Sequence, residues 1–281
     1  MTADLVRVRV QLPFSSADGF AKFGPSWTDL LIREGTSDED VLREVWLEDC
    51  YRVRGIDLTP RVTTYEHEDE SGIGTSIRTK TEGRTVLDIG ACTGIFSALC
   101  LAFGAAHMIA VEPEPDNVRL LRKNLAPYGD RVTIIEGAVT GDGHDVQLLG
   151  GQGTGHTERS LADPLAIDER ESIPSRTLAD IIDLAPTPIV LMKMDVEGAE
   201  FDIIDACPSE AIARVENIAM ETHGPATAAH LDPATIDQKY GALLAKLAYT
   251  HAITAFGVPS RGGMLFAHAY DQREGHDDDD S

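Results

Sequence analysis

The sequence predicts a doubly wound α/β fold, a mostly parallel sheet with helices on both faces, carried by residues 81–270 and preceded by an α+β extension over residues 1–80. Three observations predict it. Residues 85–94 read as a short apolar strand, a glycine turn and a helix start; from Thr85 onward strands and helices alternate; and two further strands lie near the C-terminus, separated by Gly257, Pro259, Gly262 and Gly263. Alternating β and α segments build parallel βαβ units, which take their ligands at the carboxyl ends of the strands.

The extension comes first. Asp4 to Leu12 alternates with a period of two, the pattern of a half-exposed strand, and a loop with Pro13, Gly19, Gly24 and Pro25 follows. Ser37 is placed as the N-cap of a helix, with Asp38, Glu39 and Asp40 in its first turn and Val41, Leu42, Val45 and Trp46 at helical spacing. Phe14, Phe20, Phe23, Trp27, Trp46, Tyr51 and Tyr65 supply either a lid over a site or plain packing.

In the main domain, Val86, Leu87 and Ile89 form the first strand, and Gly90 and Gly94 flank a turn into a helix over Ile95 to Phe103. Backbone without Cβ atoms and the free N–H groups of a helix start let a ligand approach closely, although an ordinary βα turn has the same glycines. A second strand, His107 to Val111, ends at Glu112, and Pro115 opens a helix to Leu125 with Val118, Leu120 and Leu121 on its apolar side. A third strand, Val132 to Ile135, ends at Glu136, Gly137, Ala138 and Val139.

Glu112 lies at the end of the second strand, where a carboxylate can accept hydrogen bonds from two ribose hydroxyls and would repel a 2′-phosphate. Glu136, Gly137 and Ala138 occupy the place of an adenine edge in the same layout. Two nucleoside cofactors then compete, a dinucleotide and S-adenosylmethionine. The turn reads Asp88-Ile-Gly90-Ala-Cys-Thr-Gly94, and Asp88 would repel a pyrophosphate but tolerate a cationic sulfonium and ammonium. The sulfonium cofactor is favoured.

Thr140 to Ile173 breaks the rhythm with Gly141, Gly143, Gly150, Gly151, Gly153 and Gly155, a short strand expected at Val146 to Leu149, and His156, Arg159 and Asp163. It is an insertion, either a substrate loop or inert surface. The apolar strand from Pro188 then delivers Lys193 and Asp195 on one face, and Glu197 and Gly198 are read as a helix start carrying Phe201, Ile203 and Ile204. Four ionisable groups in eight positions at a strand's end are costly to bury unless paired or used. A buried-type strand, Ile218 to Glu221, ends in Thr222 and His223; a histidine there is either a satisfied rim residue or a proton acceptor at neutral pH. Pro233 starts an amphipathic helix, and Thr250 to Phe256 and Met264 to Ala269 read as a closing antiparallel pair.

Composition narrows the partners. With 24 Lys and Arg against 47 Asp and Glu, the net charge of −23 disfavours nucleic acid and suits a neutral or cationic small molecule. No run reaches the ~18 apolar residues of a membrane span, so a cytoplasmic protein is expected, with a homodimer left open as a partner. The acidic run Glu274 to Asp280 reads as a solvated tail, residues 271–281 being disordered. Cys50, Cys92, Cys100 and Cys207 form no paired motif and read as plain thiols, Cys92 lining the turn.

The segments Val86-Leu-Asp-Ile-Gly-Ala-Cys-Thr-Gly94, Ala110-Val-Glu-Pro113 and Leu191-Met-Lys-Met-Asp-Val-Glu-Gly-Ala-Glu200 together resemble the FkbM-type family of S-adenosylmethionine-dependent methyltransferases, over roughly residues 80 to 270. The resemblance implies the Rossmann-like, doubly wound, mostly parallel seven-stranded sheet of class I methyltransferases, and methylation of a hydroxyl on a natural product or sugar. It implies a cofactor site at Asp88, Gly90, Gly94 and Glu112, to which the reading of the turn and strand ends adds Ala91, Cys92, Glu136, Gly137, Ala138 and Asp195. Lys193, Asp195 and Glu197 would face the reacting end. Cys92 and Thr93 stand where the family commonly has Asn and an aliphatic residue.

Methyl transfer needs an in-line approach, so positioning carries most of it. A hydroxyl must also lose its proton, to His223 or Asp195, with Lys193 and Glu197 orienting the site. No resident metal is expected; a divalent ion on Asp195, Glu197 and a further carboxylate is the lesser alternative. N-methylation of an amino sugar or peptide, or a non-catalytic binding protein on the same fold, are the competing functions.

Overall fold

The computed structural model describes residues 4–11, 27–58, 61–68, 75–146, 172–224, 232–258 and 262–270, and side chains are described for these except 11, 27, 61–68, 75–82 and 258. In chain order, β1 (Leu5–Gln11) pairs antiparallel with β2 (Trp27–Arg33), and α1 (Asp38–Leu42) runs into a π-helical turn, Arg43–Leu47. β3 (Arg61–Glu68) pairs antiparallel with β4 (Thr75–Glu82). The alternating part follows: β5 (Thr85–Ile89), α2 (Ile95–Ala102), β6 (His107–Glu112), α3 (Pro115–Leu125) and β7 (Val132–Glu136). A two-residue β8 (Ala138–Val139) pairs with β9 (Ser175–Arg176). The chain continues through α4 (Leu178–Asp183), β10 (Ile189–Met194), α5 (Glu200–Ala206), α6 (Ser209–Ile212), β11 (Asn217–Thr222), α7 (Pro233–Leu247), β12 (His251–Val258) and β13 (Gly262–Ala269).

The central sheet has seven strands in the order β12-β13-β11-β10-β5-β6-β7. The five strands from β11 to β7 are parallel, and β13 runs antiparallel between β11 and β12. Strand order reverses between β5 and β10, the switch point at which open α/β sheets bind ligands. The expected fold class is observed, with the terminal hairpin folded back so that its second strand abuts the parallel set.

Each strand splits its side chains between two cores. Leu87, Ile89, Met192, Met194, Ile218 and Met220 face a layer with α4 to α7, whereas Val86, Leu191 and Ala219 face α2, α3 and the N-terminal segment. That segment is built into the second core. Asn124 of α3 accepts from Leu31 N at 2.7 Å and donates to Leu31 O at 3.0 Å, and Trp46 donates to the Ile95 carbonyl at 3.3 Å.

One local expectation holds in position only, and one is corrected. Ser37 is the N-cap as expected, but its side chain makes no capping bond. The reason lies next to it: Asp38, fully buried, is drawn to the Arg33 guanidinium at 2.7 and 2.9 Å and to Arg33 N, so the turn is fixed by an ion pair instead. Glu197 and Gly198 do not start a helix; both have positive φ (53° and 102°), and α5 begins at Glu200. The left-handed turn lets the Glu200 carboxylate reach back to Gly198 N. Val146 makes an isolated antiparallel bridge with Ile173; residues 147–171 of the insertion and the acidic run lie outside the described residues.

Candidate active site

The turn after β5 and the loop after β10 meet at the switch point. Asp195 N donates to Ile89 O at 3.0 Å, and Gly90 and Ala91 N both donate to Val111 O, at 3.0 and 2.9 Å. Gly90 has φ +80°, and a Cβ there would sit 1.8 Å from the Asp195 carbonyl oxygen, so only glycine lets the two loops close. At Gly94 (φ +82°) a Cβ would meet Leu121 Cδ1 at 2.6 Å. The space beside both expected ligand-approach glycines is therefore filled by the chain itself.

Beneath the turn, Asp88 and Lys193 face each other across paired strands. Asp88 is wholly buried; its Oδ2 accepts from Ser97 Oγ at 2.6 Å and its Oδ1 lies 3.5 Å from Lys193 Nζ. Burial pushes the Asp88 carboxyl up against the pull of Lys193 and Ser97. Lys193 Nζ donates to Gly90 O at 2.5 Å and lies 3.6 Å from Asp195 Oδ2. Burial opposes its charge, but Asp195 and Asp88 outweigh it and hold the ammonium above its ordinary range. This cation braces the turn from below.

Glu112 sits at the end of β6, 5% exposed. Its Oε1 accepts from Glu114 N at 2.9 Å and Asn117 Nδ2 at 3.2 Å, and its Oε2 accepts from Cys92 N at 2.8 Å. Burial pushes its carboxyl up while these bonds pull it down. Cys92 itself has φ +48°, and burial pushes its thiol far up. Beyond β7, half-exposed Glu136 is bonded to Arg122 (Nε to Oε1, 2.8 Å), while Gly137 N donates to Glu112 O and Ala138 N to Pro174 O. The backbone expected at an adenine edge is thus already engaged at both N–H groups.

The ends of β10 and β11 gather the remaining groups. Asp195 Oδ2 accepts from Tyr51 OH at 3.0 Å, and its Oδ1 lies 3.6 Å from His223 Nε2. Glu197 Oε2 lies 3.4 Å from the same Nε2, and Glu200 Oε1 lies 3.5 Å from His223 Nδ1. Glu200 is fully buried and accepts from His223 N at 2.6 Å, tying the ends of the two strands together. Burial alone would depress the His223 ring, but Glu200, Asp195 and Glu197 outweigh it and push it up to about 9. The three carboxylates therefore favour positive charge at this corner of the site. Glu221, on β11, is also pushed up, by burial and by Asp195. Tyr51 additionally lines a cavity on the same sheet face with Leu191, Ala219 and Phe266.

The four expected acceptor-side residues fall into two groups, Lys193 under the turn and Asp195, Glu197 and His223 in one cluster. Sequence reasoning did not single out Tyr51, Glu200 or Ser97. Glu200 stood inside the motif, and Ser97 is a polar residue in the otherwise apolar α2, nine positions after Asp88. Tyr51 was one aromatic among seven; Trp46 packs in the core, and the side chains of Phe14, Phe20, Phe23, Trp27 and Tyr65 lie outside the described residues.

Comparison with known proteins gives three findings. Residues 88–244, more than half of the chain, match the family described as Methyltransferase FkbM domain. A release factor glutamine methyltransferase of Geobacter sulfurreducens is 32% identical over 83 residues, 29% of this chain and 29% of that protein. Among solved structures, methyltransferase FkbM from Methylobacillus flagellatus is similar at 20% identity and a TM-score of 0.43, over 66% of this chain and 43% of that one. A human methyltransferase 10 domain containing protein is similar at 12% identity and a TM-score of 0.42, over 82% and 83%. The match thus spans under a third of the curated relative and under half of the Methylobacillus protein.

Proposed function

Since the chain belongs to the FkbM-domain methyltransferases, we propose that it transfers the methyl group of S-adenosylmethionine to a hydroxyl of a neutral or cationic small molecule, a natural product or a sugar. The observation that carries this is the convergence of Asp195, Glu197 and His223 beside a nucleoside-type turn at the switch point.

The residues present fit the cofactor. A carboxylate oxygen accepts two hydrogen bonds, and among the described residues Glu112 Oε2 takes one, from Cys92 N, which leaves capacity for a ribose hydroxyl. Glu112 and the turn from Gly90 to Gly94 would hold the nucleoside, and the acidic cluster suits a cationic methionine end. Bound S-adenosylmethionine supplies an electrophilic methyl carbon on a positively charged sulfur.

The chain's own groups then act on the acceptor. His223 and Asp195 meet at the strand ends, and one of them takes the proton as the hydroxyl oxygen becomes nucleophilic. Tyr51 and Lys193 fix the other Asp195 oxygen, which aims Oδ1 into the cluster. No helix among the described residues is long and apolar enough to cross a membrane.

The test is turnover with deuteromethyl-labelled S-adenosylmethionine and extracts rich in hydroxylated metabolites, read by accurate mass. Products gaining one labelled methyl on oxygen support the reading. Labelled methyl only on nitrogen replaces it with N-methylation, and no labelled product with any extract contradicts it.

A further inference from the structure

Among the described residues, Asp195, Glu197 and His223 each offer one ligand atom, and these atoms lie within 4.8 Å of one another. The spacing is informative. An imidazole hydrogen-bonded to a carboxylate closes to about 2.7–2.9 Å. His223 Nε2 instead stands 3.4 Å from Glu197 Oε2 and 3.6 Å from Asp195 Oδ1, between two carboxylates and closed on neither. Ligand atoms at roughly 2.1 Å from a shared cation are separated by about 3.0 Å at octahedral and about 3.4 Å at tetrahedral edges.

A second observation concerns the histidine itself. Its side chain is 9% exposed, and its Nδ1 is buried without a hydrogen bond. The ring is nonetheless held in place: its own backbone N donates to Glu200, and Glu200 Oε1 faces Nδ1 at 3.5 Å. A carboxylate behind the far nitrogen of a histidine is the usual outer support of a metal ligand. Asp195 is supported likewise, by Tyr51 on the oxygen pointing away from the cluster. Asp195, Glu197, Glu200 and the nearby Glu221 together call for positive charge here.

We infer that Asp195 Oδ1, Glu197 Oε2 and His223 Nε2 form a binding site for one divalent cation of the Mn²⁺ or Mg²⁺ class. Two carboxylates and one imidazole, with no sulfur in the set, suit these oxygen-preferring ions. The third ligand is a histidine, not the further carboxylate that sequence reasoning had offered as the lesser alternative. Asp195 and Glu197 are partly exposed, so positions opposite the protein ligands are open to oxygen atoms of an acceptor. There the cation would lower the pKa of a bound hydroxyl. Only that role rests on the methyl-transfer reading; the binding site does not.

The experiment titrates Mn²⁺ into protein stripped with EDTA and desalted, with neither methyl donor nor acceptor present, and follows free Mn²⁺ by electron paramagnetic resonance. One saturable Mn²⁺ per chain is expected, weakened more than about tenfold in both Glu197→Gln and His223→Ala. S-adenosylmethionine binding by each variant, measured separately, reports whether it is folded; Glu197→Gln carries the test if His223→Ala is not. Absence of saturable uptake, or uptake unchanged in the folded variants, overturns the site. Uptake of Zn²⁺ in place of Mn²⁺ overturns the ion class.

Discussion

Tyr51 donates its phenolic hydrogen to Asp195 Oδ2 at 3.0 Å, joining residues 144 positions apart. The N-terminal segment thereby contributes directly to the site that the α/β sheet builds. Burial, first, and then Asp195 hold the phenol well above its ordinary range, so it remains a donor. A hydrogen bond to a charged group is worth about 1.5–3 kcal/mol. Tyr51→Phe should therefore lower turnover by about tenfold or more while leaving S-adenosylmethionine affinity within a few-fold. Unchanged turnover in the folded variant would remove Tyr51 from the site.

Among the described residues, Lys193 is the ammonium that lies within 4 Å of both Asp88 and Asp195. Removing one partner of a buried ion pair leaves the other charge uncompensated, at about 3–5 kcal/mol. Lys193→Met should lower urea-unfolding stability by about that amount. A loss below about 1 kcal/mol would mean that Asp88 is carried neutral and needs no cation.

Two glycines should respond in opposite directions. Gly90→Ala places Cβ against the Asp195 carbonyl at positive φ and should destabilise by at least about 2 kcal/mol, with loss of cofactor binding. Gly241, inside α7 with nothing within 4 Å of its missing Cβ, should stabilise by about 0.5–1 kcal/mol on change to Ala. Thermal unfolding of both variants checks the pair, and equal shifts would refute the packing account of Gly90.

His251 provides a pH dependence away from the site. The ring is fully buried, with Nε2 bonded to Val215 O at 2.8 Å and Nδ1 to Thr250 Oγ1 at 2.7 Å. Burial lowers its pKa from the ordinary 6.5. Below that value the unfolded chain takes up a proton that the folded ring resists, so this contribution is present above 6.5 and lost as pH falls toward the folded pKa. The melting temperature should fall from about pH 7.5 to about pH 5.5, and His251→Gln should reduce that fall. An identical slope in the variant would contradict it.

Much of this architecture was legible because each cue was local. The apolar runs from Val86, His107, Val132, Ile189 and Ile218 are strand-length and lie between helices, and Pro115 and Pro233 mark helix starts at the observed residues. The turn at Glu197 and Gly198 was misread because its left-handed conformation is imposed by Glu200, whose partners, Gly198 N and His223 N, include one 23 residues away. Tyr51 was indistinct for the same reason: the partner that selects it over other aromatics is contributed by a distant strand end. Sequence also placed Lys193 on the acceptor side, since nothing local says that its ammonium turns under Gly90. Pairings made by tertiary contact leave little trace in residue spacing.

The central claim is that the turn at the switch point seats a sulfonium nucleoside. Isothermal titration of S-adenosylmethionine into the protein, with NAD as the comparison ligand, tests it most directly. Saturable one-to-one binding of S-adenosylmethionine, displaced by S-adenosylhomocysteine and absent for NAD, is predicted. Saturable NAD binding, or no binding of S-adenosylmethionine to folded protein, would contradict it.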